Sequence, residues 1–366
     1  MENIKEKNRL TNFEILRIIS MIMIILHHYS VHGGILDITS YGINKYIAVF
    51  CYSLGKIGVN IFFLISGYFL INSKFKISKV IKLIMQVLEY SIPLTIVFMC
   101  FNKEIAIKKL LKSIIIIFYN HYWFINTYII IYLLMPFFNK FIKIIKKEQF
   151  LIIIFILVSI LVIFPNLKLN SAFYGQLQWG IFMYFIGAYI KLYAYEERKK
   201  HIKIIKTLQD LNFIICIIFL VYIFVLFLFT YYSSFKDNEV FKKIDKLIDM
   251  NSIFPFVLSI LIFIKFSKIK MKNNKVINFF GGTSFGVYLF HDCIYKKTIW
   301  NNILCTQKLY YANPILLVLH IIISTIFIYL FGSIYEIGRR KIFENKKIFL
   351  PRVKKWCEEI DIKFNN

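Results

Sequence analysis

Two side chains able to do chemistry, Arg17 and His28, stand eleven residues apart in the otherwise apolar stretch NFEILRIISMIMIILHHYSVHGG at 12–34. Histidine is the side chain that gains and loses a proton near neutral pH, and arginine is a permanent cation with a planar donor fork. Proton transfer beside a held anion is the chemistry such a pair could do. Eleven residues are almost three helical turns, so the two share one face about 16 Å apart along the axis. Glu14, Met21 and Ile24 lie in the same stripe, while His27 points about 100° away. A charge at membrane depth costs a few kcal/mol or more, so these groups are expected to face a protein interior or a wet cavity. The plainer alternative is an Arg17 that snorkels to headgroups and a packed polar His28.

Four other stretches carry polar groups of the same kind. In GKIGVNIFFLISGYFL at 55–70, Lys56, Asn60, Phe63 and Gly67 share a helical face, and Ser66-Gly67 permits close approach of another helix. Directly after it, KFKISKVIK places Lys74, Lys76, Lys79 and Lys82 in a short turn, where an anionic cytosolic ligand would first be met. Basic turns of this kind are equally expected from membrane orientation alone. In HYWFINTYIIIYLLMPFFNK, His121, Tyr122 and Trp123 read as an interfacial aromatic belt, and Asn126 lies deeper and needs a partner. In GGTSFGVYLFHDCIY, Ser284, Tyr288, His291 and Tyr295 recur on one face, with His291 at a depth comparable to His28. Two histidines at similar depth on different spans form a candidate constellation, and spacing within each helix does not fix whether the two converge. His201 is assigned to a loop and His320 to helix packing.

The elements that must position these residues are membrane helices. Of 366 residues, 58% are hydrophobic and 18% aromatic, with six Pro, fourteen Gly and a mean hydropathy of +0.64, which excludes an ordinary soluble domain. The expected fold is an all-α polytopic membrane protein with ten spans near 13–31, 46–71, 80–101, 122–142, 149–165, 176–194, 211–233, 252–267, 276–295 and 313–337. The first run has no small-residue cleavage site and carries charges, so it reads as a retained span. Of the 46 Lys and Arg, 31 fall in segments on one side and 13 on the other, which places both termini in the cytoplasm. A net charge of +26 distributed in this way argues against nucleic-acid binding. The excess of Lys, Ile, Asn and Phe reads as that of an AT-rich bacterial genome. Six cysteines without paired spacing imply neither a disulfide framework nor a zinc site. One domain over 1–366 is expected, with about 10–338 in the membrane and a basic cytoplasmic tail at 339–366.

At these residues the chain resembles the acyltransferase-3 family, which includes the O-acetyltransferases of bacterial cell-wall and surface polysaccharides. The family's first span carries an Arg and, after ten intervening residues, a His, here Arg17 and His28. Its FFxISGY motif is similar to FFLISGYF at 62–69, and the runs WFI…Y…LMPF at 123–137 and SFGVYLFH at 284–291 follow in family order. The resemblance implies a multi-pass plasma-membrane enzyme moving an acyl group, most often acetyl, from cytosolic acyl-CoA to a hydroxyl of an extracytoplasmic or lipid-linked glycan. Acetyl-CoA would be a donor substrate and no bound cofactor or metal is implied. Arg17 would hold the donor, His28 would serve as general base or transient acyl carrier, and His291, Tyr288, Lys56 and Asn60 would orient the acceptor or stabilise an oxyanion. Where family members often have arginines after the second span, this chain offers lysines, which neutralise phosphate without a bidentate grip. A polysaccharide-precursor flippase or polymerase, and a proton-coupled transporter, are the competing readings; both would handle substrate without consuming acyl-CoA. The acceptor and the oligomeric state stay open.

Overall fold

In a bilayer every backbone N–H and C=O must find an internal partner, so apolar runs of about twenty residues form helices. The computed structural model describes residues 9–38, 42–101, 112–115, 121–167, 174–193, 208–235, 239–344 and 351–365. Lys5, Lys7, His201 and parts of the basic tail lie outside the described residues. Among those described, the regular elements are all helical. The longer ones are α1 (Thr11–Val31), α2 (Ile43–Leu70), α3 (Ile77–Phe101), α4 (Trp123–Ile144), α5 (Lys147–Asn166, with one π turn at Ser159–Ile163), α6 (Gln176–Tyr193), α7 (Leu208–Ser233), α8 (Glu239–Ile248), α9 (Ile253–Lys268), α10 (Lys275–His291), α11 (Pro314–Arg339) and α12 (Pro351–Asn365).

Eight segments, namely α1 to α5, α7, α11 and a run joining α8 to α9, are long and apolar enough to cross a membrane. The protein is a polytopic all-α membrane protein. The stretches expected as the sixth and ninth spans are α6 and α10, which are shorter and about half buried. Ten of the eighteen residues of α6 are buried, as are eight of the seventeen of α10. A helix surrounded by protein need not be apolar all round, which is why α10 tolerates Gly281, Gly282, Thr283 and Ser284 in sequence. The polar stretch between the seventh and eighth expected spans contains α8, an amphipathic helix with Ile244 and Ile248 buried and Asp245 exposed.

Small residues set the closest crossings. A Cβ at Gly67 would stand 2.0 Å from the Tyr184 carbonyl oxygen, and one at Gly187 would stand 2.3 Å from that of Leu64, so α2 and α6 touch backbone to backbone. This is the approach expected of Ser66-Gly67. α1 packs on α2 through Gly58, whose Cβ would be 2.5 Å from the Ser20 carbonyl oxygen, and on α10 through Gly281. Polar clamps fix the register. Asn12 donates to the Phe266 carbonyl at the end of α9 (2.8 Å), and Thr11 donates to Asn278 on α10 (3.0 Å). Between α3 and α11, Arg339 bonds Glu89 (2.6 Å) and Glu336 (2.8 and 2.9 Å), and Glu336 also accepts from Tyr90 (2.7 Å). All four side chains are buried. Removing one partner of such a set leaves uncompensated charge, so the network specifies how α3 and α11 meet.

Candidate functional site

The stripe that begins at Glu14 on α1 faces a cavity of about 910 Å³, walled by α1, α2, α4 and α10 with the start of α3. Glu14, Arg17, Met21, Ile24 and His28 all line it, as the helical arithmetic requires. Arg17 therefore stands near one end and His28 near the other. Apolar side chains such as Val59, Ile65 and Phe285 form most of the wall between them, so the passage suits a long thin apolar arm with polar ends.

At the Arg17 end, Glu14 is 2% exposed and holds Arg17 through Oε1 to Nη1 (2.5 Å). The same oxygen lies 3.4 Å from Nη1 of Arg9, and the Arg17 guanidinium sits 5.8 Å from the centre of the Phe69 ring. A Cβ at Gly281 would be 2.5 Å from Glu14 Oε2, and one at Gly282 would be 2.6 Å from Arg9 Nη1. The glycine pair of α10 thus provides the room in which this acidic–basic group is seated. Lys79, at the start of α3, reaches the same mouth and lies 5.9 Å from the Tyr132 ring. Two guanidinium groups and an ammonium against one carboxylate leave the mouth net positive, which favours an anion.

At the other end four histidines gather. The His28 ring lies 4.5 Å from His32, 5.0 Å from His291 and 5.6 Å from His27, centre to centre. His27 also borders the cavity, but its Nδ1 donates to the Tyr52 carbonyl (2.6 Å) and its ring stacks on Tyr52 at 4.9 Å. His291 is fully buried and its Nδ1 donates to the Val287 carbonyl (2.6 Å), which leaves Nε2 as the lone-pair nitrogen. Asp292, 3% exposed, lies 3.3 Å from His32 Nε2 and 2.7 Å from Lys296 Nζ. Just outside the helices, His121 donates from Nε2 to the Asp292 carbonyl (3.2 Å). Burial first, and the Lys296 ammonium second, lower the His121 pKa, which favours a neutral ring.

Of the residues singled out from the sequence, Arg17, His28, Glu14, Lys56, Ser66, Trp123, Tyr288 and Lys79 all line the cavity. His28 and His291 converge, although His291 sits behind the wall. Asn60 does not face the cavity. Its amide donates to the Met250 carbonyl (2.9 Å) and accepts from Trp179 Nε1 (2.7 Å) in the core. Four residues advance 400°, so Asn60 is turned about 40° past Lys56, from the cavity toward α6. Asn126 is on α4 but outside the lining, and Lys74, Lys76 and Lys82 are exposed on the surface away from it. His320 accepts or donates at Nδ1 with the Tyr29 hydroxyl (2.7 Å), joining α11 to α1. Arg9, Asp292 and Lys296 were not picked out as site residues. The signals were present in the adjacent pair His291-Asp292 and in the i,i+4 spacing of His28 and His32.

A family model described as an acyltransferase domain matches residues 10–333, a span containing every cavity-lining residue except Arg9. No curated protein and no solved structure matches the chain.

Proposed function

We propose, on the premise that this chain belongs to the acyltransferase-3 family and is a membrane acyltransferase, that it carries an acyl group, most often acetyl, from cytosolic acyl-CoA to a glycan hydroxyl on the outer side of a bacterial plasma membrane. The observation that carries the reading is the single cavity shared by Arg17 and His28 on one helix face. Arg9, Arg17 and Lys79 form the donor mouth and meet the phosphates of the CoA. A guanidinium carries nitrogens beyond the Nη1 that Glu14 engages, so Arg17 can hold its carboxylate and an anion together. The pantetheine arm lies along the apolar wall and brings the thioester toward His28.

In the direct route His28 takes the proton of the acceptor hydroxyl as its oxygen attacks the thioester carbonyl. The tetrahedral intermediate collapses, the C–S bond breaks, and the leaving thiolate takes that proton back from the imidazolium. Asp292 offers a carboxylate oxygen within 4.8 Å of a His28 ring nitrogen and favours its transient positive charge, as a carboxylate does behind a catalytic histidine. Tyr288, which lines the cavity close to His291, is placed to donate to the oxyanion. In the two-step route His28 is itself acylated and then deacylated by the acceptor, with the same net balance. The acceptor is an extracytoplasmic or lipid-linked sugar, gripped by Lys56 and stacked on Trp123 at the outer mouth.

The test is incubation of the purified protein in nanodiscs with acetyl-CoA labelled in the acetyl group and a lipid-linked oligosaccharide. Labelled glycan and free CoA should form in equal amounts. Movement of the oligosaccharide with no CoA released would assign the protein to transport instead.

A further inference from the structure

The histidine cluster at the His28 end has a geometry that general base catalysis does not require. His28, in the last turn of α1, and His32, its C-cap in helical conformation, are one turn apart, the i,i+4 spacing by which a helix presents two imidazoles to one point. Asp292 closes the set from the end of α10, and the nearest ligand atoms of the three lie within 4.8 Å of one another. Ligands about 2.0–2.1 Å from a tetrahedral zinc ion are roughly 3.3 Å apart. The 3.3 Å between His32 Nε2 and Asp292 Oδ1 already meets that spacing.

Two further observations point to a ligand at this place. Nδ1 of His28 is buried and has no hydrogen-bond partner among the described residues. Nε2 of His291 is equally buried and unpartnered, and its ring is 5.0 Å from that of His28. The Nδ1–H of His291 is spent on the Val287 carbonyl, the outer hydrogen bond that fixes the tautomer of a metal-bound histidine. Borderline-soft nitrogen donors with one carboxylate select zinc and its neighbours over magnesium or calcium.

We propose that His28, His32 and Asp292, with His291 in reach as a fourth ligand, form a binding site for a divalent transition-metal cation of the zinc class, and that its occupation silences acyl transfer. The second half rests on the assignment of His28 as base or carrier, because a metal on its lone pair removes the nucleophile. Lys296 limits the affinity, since its ammonium lies 2.7 Å from the carboxylate oxygen that the metal would take. The site is thus suited to a reversible inhibitor and not to a resident cofactor.

The test is zinc titration of the full chain in nanodiscs against a chromophoric zinc indicator, with transfer measured in the same samples. The chain should bind one zinc ion with Kd on the order of 1 µM or tighter. His32→Ala, His32→Gln and Asp292→Asn should each weaken binding at least tenfold, and His27→Ala should not. Lys296→Gln should tighten it; unchanged or weaker binding there would remove Asp292 from the ligand set. Monodisperse elution of each variant guards against misfolding, and the two His32 replacements must agree. Zinc bound equally by wild type and by both His32 variants would overturn the site. Binding as described with transfer unimpaired would leave the metal site standing and instead overturn the assignment of His28 to the chemistry.

Discussion

Replacing Gly281 by alanine tests how α10 positions the donor end of α1. In an unobstructed helix the change would stabilise by about 1 kcal/mol through propensity alone. Here the new Cβ would stand 2.5 Å from Glu14 Oε2, 2.6 Å from Glu14 Cβ and 2.9 Å from Glu14 Cα. A carboxylate tip can swing, but a Cβ and a Cα move only with their helix. Restoring 3.4 Å contact means separating α1 from α10 by about 0.8 Å at Glu14. Overpacking of this kind costs roughly 1–3 kcal/mol, so the propensity gain is cancelled or exceeded. α1 is not free to drift, being clamped nearby by Asn12 to Phe266 and by Thr11 to Asn278. Arg17, one turn on and bonded to Glu14, moves with the displaced turn. Misplacement by about 1 Å can cost 10²-fold in rate, so transfer should fall by about tenfold or more. The assay is acetyl transfer in membranes at matched abundance, paired with a melting curve of the purified protein. Gly338→Ala is the control, because nothing lies within 4 Å of its added Cβ. If Gly281→Ala transfers at the wild-type rate and melts no lower, α1 and α10 do not meet at Glu14 as described.

Further outcomes follow from the same structure. In a background without Cys100, Cys216 and Cys305, Asp37→Cys should be labelled by an impermeant thiol reagent from outside and Lys76→Cys only after permeabilisation, both positions being exposed. The reverse pattern would put the donor mouth on the wrong side of the membrane. Lys79→Gln should raise the donor KM more than Lys74→Gln, Lys76→Gln and Lys82→Gln combined, since Lys79 alone of the four lines the cavity. The effect of the other three should vanish at high salt, so equal effects for all four would reduce the turn to an orientation signal. Arg339→Met leaves the buried Glu89 carboxylate without its cation, while Glu336 keeps Arg340, and should cost about 3–5 kcal/mol, read as a fall in Tm of about 5 °C or more. An unchanged Tm would mean that this network contributes nothing to holding α3 on α11.

Much of this arrangement is legible in the sequence because helical periodicity is a short-range property. The Arg17–His28 stripe follows from 3.6 residues per turn, and the cavity faces that stripe residue by residue. Composition likewise suffices for an all-α membrane fold. The side toward which a given face of α2 turns is a different matter. Lys56 and Asn60 look equivalent by spacing, yet the 40° between them separates a cavity from a core, and only the position of Trp179 on α6 decides which is which. The cluster around Asp292 depends on the same kind of information, since the residue ends α10 and its partners come from the far end of α1. Arg9 reads as a topological charge in the sequence, and its seat against Glu14 exists because α10 presents Gly281 and Gly282 there. α8 was hidden by the balanced charge of its stretch, whose apolar positions Ile244 and Ile248 are few but fall on one face.

The central claim is that His28, and not its neighbour His27, carries the chemistry on the face it shares with Arg17. The most direct measurement compares acetyl transfer and donor binding for His28→Ala and His27→Ala in membranes at equal abundance. His28→Ala should lose transfer by roughly 10²-fold or more, on the scale of a lost general base, while donor binding survives. His27, held by the Tyr52 carbonyl and stacked on its ring, should affect packing and leave most of the transfer. An active His28→Ala beside an inactive His27→Ala would contradict the account, because the reacting group would then lie about 100° round the helix from the face argued.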